Sequence, residues 1–199
     1  MVHHRVDGVL HSVWLNLGSN RYANEIRIPQ DHGFDLSLPA TQVADFNGDR
    51  VPDLCAIGSR QVVVTAGLGY GRFAPPQTIS ITPFPPGSPF WRDLTDELAA
   101  QARLTDLTGD GLADLVIERA SQNELWYWIN LGNYTFSDPH VVTGIPQIAT
   151  TRWADMNGNG TADLVLADST TSPYLQVFDL GELLNCGATP NVLDRKSVV

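Results

Sequence analysis

The chain has 199 residues and a formal net charge of −10. With 43% apolar and 17% charged residues it is not a disordered composition, and it is long enough for one domain or a little more. The acidic balance argues against nucleic acid and anionic membrane as partners and suits cations or basic surfaces.

The opening, M-V-H-H-R-V-D-G-V-L-H-S-V-W-L-N, lacks the basic flank and apolar core of a signal peptide, and no later stretch approaches a membrane span. Membrane insertion is therefore not expected, and export would need a signal on a longer parent chain. Residues 14–22 read W-L-N-L-G-S-N-R-Y, with Tyr22 four residues after Gly18. This is the second half of a unit that recurs downstream, so residues 1–36 are read as a leading half unit.

The unit over 37–74 contains D-F-N-G-D-R-V-P-D at residues 45–53, followed by the apolar run Leu54-Cys55-Ala56-Ile57. Val62, Val63 and Val64 favour a second strand. The unit closes on G-L-G-Y-G-R-F at 67–73, with Phe73 four residues after Gly69. Cys55 and Cys186 make neither a disulfide framework nor a zinc pattern, and Cys55 is expected to be buried in its apolar run.

Residues 75–102 break the pattern. Pro75, Pro76, Pro83, Pro85, Pro86 and Pro89 predict an extended stretch poor in ladder donors. Residues 92–104 then have a helical period, with Asp93 or Thr95 as N-cap. The stretch is read as an insertion carrying one short helix.

The unit over 103–150 repeats the frame: D-L-T-G-D-G-L-A-D at 106–114, the run Leu115-Val116-Ile117, and W-Y-W-I-N-L-G-N-Y-T-F at 126–136. Trp126 and Trp128 share one face of a strand with Tyr127 on the other, and Trp14 holds the place of Trp128 in the leading half unit. Packing between units explains them better than sugar stacking. Trp91 and Trp153 are the better candidates for an exposed contact. The last unit, 151–181, has D-M-N-G-N-G-T-A-D at 155–163, then Leu164-Val165-Leu166 and a closing Leu180-Gly181. The tail, 182–199, has no counterpart elsewhere in the chain.

Short β-branched runs, apolar on both faces and bounded by turn residues, predict strands buried on both sides. Units of this size with several strands each fit propeller blades. The fold class is therefore all-β, a partial β-propeller of about three and a half blades.

All three loops share D-x-[NT]-G-[DN]-x-x-x-D. Positions 1, 3, 5 and 9 give Asp45, Asn47, Asp49 and Asp53; then Asp106, Thr108, Asp110 and Asp114; then Asp155, Asn157, Asn159 and Asp163. Hard cations take six to eight oxygen ligands, so this set points to Ca²⁺ rather than to Mg²⁺, which keeps more water. Two carboxylates in the third loop against three in the others predict weaker binding there. The loops are not EF-hands: position 12, where an EF-hand has a bidentate Glu, holds Ala56, Ile117 or Leu166. A hairpin turn rich in Asp and Asn accounts for one such loop, but less readily for three with the same offsets.

No nucleophile, phosphate-loop or dinucleotide motif is present in the right setting, and His3, His4, His11, His32 and His140 are scattered. The carboxylates sit in the loops rather than across a cleft, so no catalytic residue is assigned and no enzyme activity is expected.

The acidic loop D-x-N-G-D-x-x-x-D, the apolar strand and the N-L-G-x-G-x-F turn together resemble the FG-GAP/VCBS repeat family. That resemblance implies an integrin-alpha-like propeller with Ca²⁺ in a blade hairpin. L-A-D-L-V-I-E-R-A-S-Q-N-E-L-W-Y-W-I-N-L-G-N-Y-T-F and L-L-N-C-G-A-T-P-N-V-L are also similar to the propeller region of SpvB-type proteins and insecticidal toxin complex B subunits. Together these imply a secreted or cell-surface scaffold that engages a protein partner. The alternatives are a carbohydrate-binding propeller or an accessory domain of a larger secreted enzyme.

Overall fold

A computed structural model describes residues 2–5, 10–28, 38–88, 95–145, 150–168 and 174–180. The expectations made for His32, Pro89, Trp91, Asp93, Gly181 and the 182–199 tail lie outside the described residues.

The N-terminal unit forms β1 (Val2–Arg5), β2 (Leu10–Val13) and β5 (Ile26–Ile28), in the order β1-β2-β5, with a small hairpin of β3 (Asn16–Gly18) and β4 (Arg21–Tyr22). The next two units are four-stranded antiparallel sheets. The first is β6 (Thr41–Ala44), β7 (Asp53–Ile57), β8 (Gln61–Thr65) and β9 (Gln77–Ser80). The second is β10 (Ala102–Thr105), β11 (Asp114–Arg119), β12 (Glu124–Trp128) and β13 (His140–Thr143). The last unit shows β14 (Thr150–Ala154), β15 (Asp163–Asp168) and β16 (Tyr174–Phe178). The all-β, partial-propeller class is what the structure shows.

The repeat extends to the register. The ninth loop residue opens the second strand and faces the last residue of the first: Ala44 opposite Asp53, Thr105 opposite Asp114, Ala154 opposite Asp163. Each acidic loop is thus the connection between the first two strands of its blade.

Strand alternation explains why the runs are apolar on both faces. Leu115 and Ile117 of β11, with Trp126 and Trp128 of β12, join Phe46, Cys55, Ile57, Val62 and Val64 in one core. Val116 and Leu125 turn the other way and join Leu164, Leu166 and Phe178 in a second. The second four-stranded sheet is therefore sandwiched. Each fully buried Leu, Ile or Val contributes about 1.5–3 kcal/mol. Cys55 lies in the first core, and burial pushes its thiol pKa up, as suits an inert thiol.

Two features of the region read as an insertion differ from expectation. The helix is a single turn, α1 (Asp96–Ala99), with Thr95 Oγ1 accepting from Leu98 N as its cap. Residues 102–105 instead pair with β11, because a strand partner outweighs the helical propensity of a short segment. Gln77–Ser80, between the prolines, is the outer strand of its blade and pairs with β8. The prolines flank this strand and none lies within it, so none removes a ladder hydrogen bond.

Polar contacts also tie the sheets together. The Gln42 side chain of β6 accepts from Leu104 N at 3.0 Å and donates to the Ala102 carbonyl. Glu118 of β11 accepts from the Trp153 indole N–H at 2.6 Å and from the Thr151 hydroxyl, with Arg103 Nε at 3.7 Å. Trp153 is half-buried against the second core rather than a free contact residue. Hydrogen bonds to a charged acceptor are worth about 1.5–3 kcal/mol, so Trp153→Phe is expected to lower unfolding free energy by about 2 kcal/mol in urea titration. Glu118→Gln, which keeps an acceptor, should cost less.

Candidate functional site

The three loops have one hydrogen-bond plan. The leading Asp caps the loop: Asp45 Oδ1 accepts from Gly48 N (2.9 Å) and Oδ2 from Arg50 N (2.8 Å). Asp106 does the same with Gly109 N (2.7 Å) and Gly111 N (2.9 Å), and Asp155 with Gly158 N (2.7 Å) and Gly160 N (3.0 Å). The amide bonds, led by that from Gly160, hold the Asp155 carboxyl below its ordinary pKa. Positions 3 and 5 form further turns of the same kind. Asn47 Oδ1 accepts from Asp49 N, Asp49 Oδ1 from Val51 N, Asp110 Oδ1 from Leu112 N, Asn157 Oδ1 from Asn159 N, and Asn159 Oδ1 from Thr161 N.

The ninth-position Asp differs from the other three. Asp53, Asp114 and Asp163 are fully buried. Asp53 Oδ2 accepts from Phe46 N (2.9 Å) and Oδ1 from Gly67 N (2.7 Å). Asp114 accepts from Leu107 N (2.8 Å) and Asn130 N (2.7 Å). Each braces its own loop against the L-G turn of its blade, a role the sequence reading did not assign. Asp163 Oδ2 accepts from Met156 N (2.8 Å), and the Leu180 backbone amide also favours its charged form. Burial raises the pKa of all three, that of Asp114 to about 7, outweighing the amide bonds that pull the other way.

Among the described residues no group of three or more His, Cys, Asp or Glu side chains converges as a metal site. The twelve predicted residues do come together as three loops, with their oxygens aimed chiefly at the loops' own amides. Two observations fit a cation. The buried ninth-position carboxylates are raised by desolvation, which a nearby positive charge would oppose. The Thr108 hydroxyl is buried without a partner among the described residues. The donors are oxygens, and each carboxylate oxygen has a second lone pair beyond the one an amide uses.

The loops are also joints between blades. The Asp45 carbonyl accepts from Ala113 N (3.1 Å), and the Asp106 carbonyl from Ala162 N (3.0 Å). In each pair a first-position carbonyl meets the eighth-position amide of the following loop. Asn130 adds a side-chain bridge, donating to the Phe46 carbonyl (2.8 Å) and the Ala113 carbonyl (3.2 Å). The Phe46 ring lies 5.6 Å from Phe136 and 6.1 Å from Tyr134. The loop glycines allow the approach: a Cβ on Gly109, at φ +78°, would come within 3.3 Å of Gly160 and Thr161. The sequence signal for these joints was the apolar second position of every loop, Phe46, Leu107 and Met156.

Strand-built units joined loop to loop define a piece of a repeat β-propeller. Residues 106–166, from the second loop through the strand after the third, match the family model described as FG-GAP-like repeat. No curated protein matches the chain. A structure of the Photorhabdus luminescens Tc holotoxin pore is 24% identical, with TM-score 0.66 over 88% of this chain and 8% of that one. The crystal structure of TcdB2-TccC3 without its hypervariable C-terminal region is 27% identical, with TM-score 0.56 over 86% of this chain and 7% of that one. An Agrocybe aegerita lectin described as recognising non-reducing terminal N-acetylglucosamine is 21% identical, with TM-score 0.56 over 94% of this chain and 46% of that one. The chain thus spans under a tenth of the toxin chains it is similar to. Its likeness to the holotoxin and the lectin is one of fold.

Proposed function

We propose that this chain is a non-catalytic, calcium-binding propeller module that serves as a scaffold and protein-interaction surface of a larger exported protein. The observation that carries the metal part is the threefold oxygen-rich loop with a desolvated carboxylate behind it. Asp45, Asn47, Asp49 and Asp53 and their counterparts in the other two loops would hold the ion. Bound calcium would supply positive charge where the chain has only carboxylates, offsetting the desolvation that raises Asp53, Asp114 and Asp163.

The interaction surface is supported by apolar side chains left exposed at the L-G turns: Leu68 and Tyr70 in one unit, Leu131 in the next. Large exposed apolar groups at equivalent places favour a contact role. Likeness to chains of toxin assemblies supports a parent protein of that kind, released from its cell.

The test is a thermal melt in EDTA, in excess calcium and in excess magnesium. Calcium at about a hundredfold over its dissociation constant is expected to add about 2.7 kcal/mol for each loop it fills. One filled loop is then a rise of roughly 5–10 °C for a chain of this size. Asp49→Ala with Asp110→Ala, which spares the buried ninth-position residues, should remove most of the rise, leave only the share of the third loop, and keep a cooperative melt. A cooperative melt in EDTA that calcium does not move would sink the metal reading.

A further inference from the structure

The chain holds three Asn-Gly pairs, and all of them lie in acidic loops: Asn47-Gly48, Asn157-Gly158 and Asn159-Gly160. An Asn followed by Gly can cyclise. The glycine amide nitrogen attacks the side-chain Cγ, ammonia leaves, and water reopens the ring to an acid. Glycine permits this because no side chain blocks the approach. In a folded chain the outcome depends on what surrounds the attacking nitrogen, the carbonyl oxygen that gathers negative charge, and the nitrogen that leaves.

The attacking nitrogens are held alike. Gly48 N donates to Asp45 Oδ1 at 2.9 Å, Gly158 N to Asp155 Oδ1 at 2.7 Å, and Gly160 N to Asp155 Oδ2 at 3.0 Å. Each already shares its proton with a carboxylate. The other two atoms separate the pairs. Asn47 Oδ1 and Asn157 Oδ1 accept a single bond each, from Asp49 N and Asn159 N. Their leaving nitrogens are tied down, Asn47 Nδ2 by Asp49 Oδ2 at 3.0 Å and Asn157 Nδ2 by Asp179 Oδ2 at 2.6 Å. Asn159 Oδ1 instead accepts from both Thr161 N (2.8 Å) and the Thr161 hydroxyl (2.6 Å), so two donors meet the charge that develops there. Its Nδ2 makes no hydrogen bond among the described residues. The bond from Thr161 N also closes a ring that contains Cγ and the Gly160 nitrogen, which keeps the reacting atoms together. Asn159 is exposed, so water reaches it.

We propose that Asn159 is a self-deamidation site, and that its conversion to aspartate brings the third acidic loop to the carboxylate count of the other two. In the step, the Gly160 nitrogen bonds to Cγ and passes its proton to the Asp155 carboxylate. The Cγ–Nδ2 bond breaks, and the nitrogen departs with that proton as ammonia. Water then opens the succinimide, and no other reactant is needed. Opening at Cγ gives aspartate; opening at the main-chain carbonyl gives isoaspartate, which adds a methylene to the loop backbone. The aspartate product reads D-M-N-G-D, the frame that the first loop has as D-F-N-G-D. A third carboxylate should tighten calcium there. That consequence rests on the metal reading proposed above; the deamidation itself does not.

The full chain is held in EDTA at mildly alkaline pH, either folded or in urea, and deamidation at each Asn is followed by peptide mass spectrometry. In urea the three pairs are expected to react at similar rates, because only the local sequence acts. In the folded chain Asn159 is expected to convert about tenfold faster than Asn47 or Asn157. Thr161→Val keeps the shape of this buried side chain and removes its hydroxyl. It should slow Asn159 about tenfold in the folded chain and leave the rate in urea unchanged. Equal rates at the three pairs in the folded chain would overturn the proposal, as would a Thr161→Val chain that converts as fast as the original. Asn159→Asp supplies the aspartate product directly and should enlarge the calcium-induced rise in melting temperature. No enlargement would count against calcium in this loop and leave the deamidation standing.

Discussion

Asp114→Ala is expected to cost about 3–5 kcal/mol, a large share of the stability of a typical domain. Both carboxylate oxygens are in use, accepting from Leu107 N at 2.8 Å and Asn130 N at 2.7 Å, and the residue is fully buried. Truncation leaves two buried amides without acceptors, each costing about 1–3 kcal/mol. The damage also reaches both joints of this blade, since Asn130 bridges back to the first loop and Leu107 packs against the third unit. In EDTA, Asp110→Ala, four residues earlier and exposed, loses only the turn contact from Leu112 N and should change stability by less than about 1 kcal/mol. Urea titration of the two variants side by side separates the readings. Equal small losses would mean that the ninth position is one more turn residue and not a brace.

The same buried carboxylates set a pH dependence. Burial raises the folded pKa of Asp114 from 3.8 to about 7 and raises those of Asp53 and Asp163 as well. Between those limits the folded chain binds more protons than the unfolded one, so stability falls as pH rises. In EDTA the melting temperature is therefore expected to decline from pH 5 to pH 7.5. In Asp114→Asn, which cannot ionise at that site, the decline should be shallower. A melting temperature that rises across this range in EDTA would show that the amide bonds outweigh burial.

The frame of the acidic loop carried much of the fold in legible form. Its ninth residue marks where β7, β11 and β15 begin, and the doubly apolar runs after it are the strands that face two cores. The joints were not legible in the same way. Asn130 reaches the Phe46 carbonyl across 84 residues, and nothing local in N-L-G distinguishes a turn asparagine from one that bridges two blades. Position eight carries no local signal either, since alanine and proline look equally bland there, although only one of them has an N–H to give. The helical reading of 92–104 failed at its C-terminal end for a related reason. The segment A-R-L-T finds a strand partner in D-L-V-I, and a pairing made across the fold outweighs a local period.

Trp128→Ala should be as damaging as the loss of Asp114, about 3–5 kcal/mol, for a different reason. The side chain is buried to 1% exposure, its indole N–H donates to the Thr82 carbonyl at 2.8 Å, and its ring meets Phe84 edge-on at 5.8 Å. It thus anchors the chain leaving β9 to the next blade, and its removal opens a void between two sheets that cannot close without moving both. Trp126 lies beside it, with Phe84 at 4.8 Å and the Arg119 guanidinium 4.2 Å above the ring. Trp128→Phe keeps most of the volume but strands the Thr82 carbonyl, so it is expected to lose roughly 1–3 kcal/mol. Denaturant titration should order the two variants in that way. A sugar-stacking role makes the opposite prediction: truncation would leave the unfolding midpoint nearly unchanged and abolish retention on a glycan column. Side chains this deep in a core offer no ring face to a saccharide, and the stability loss is the expected result.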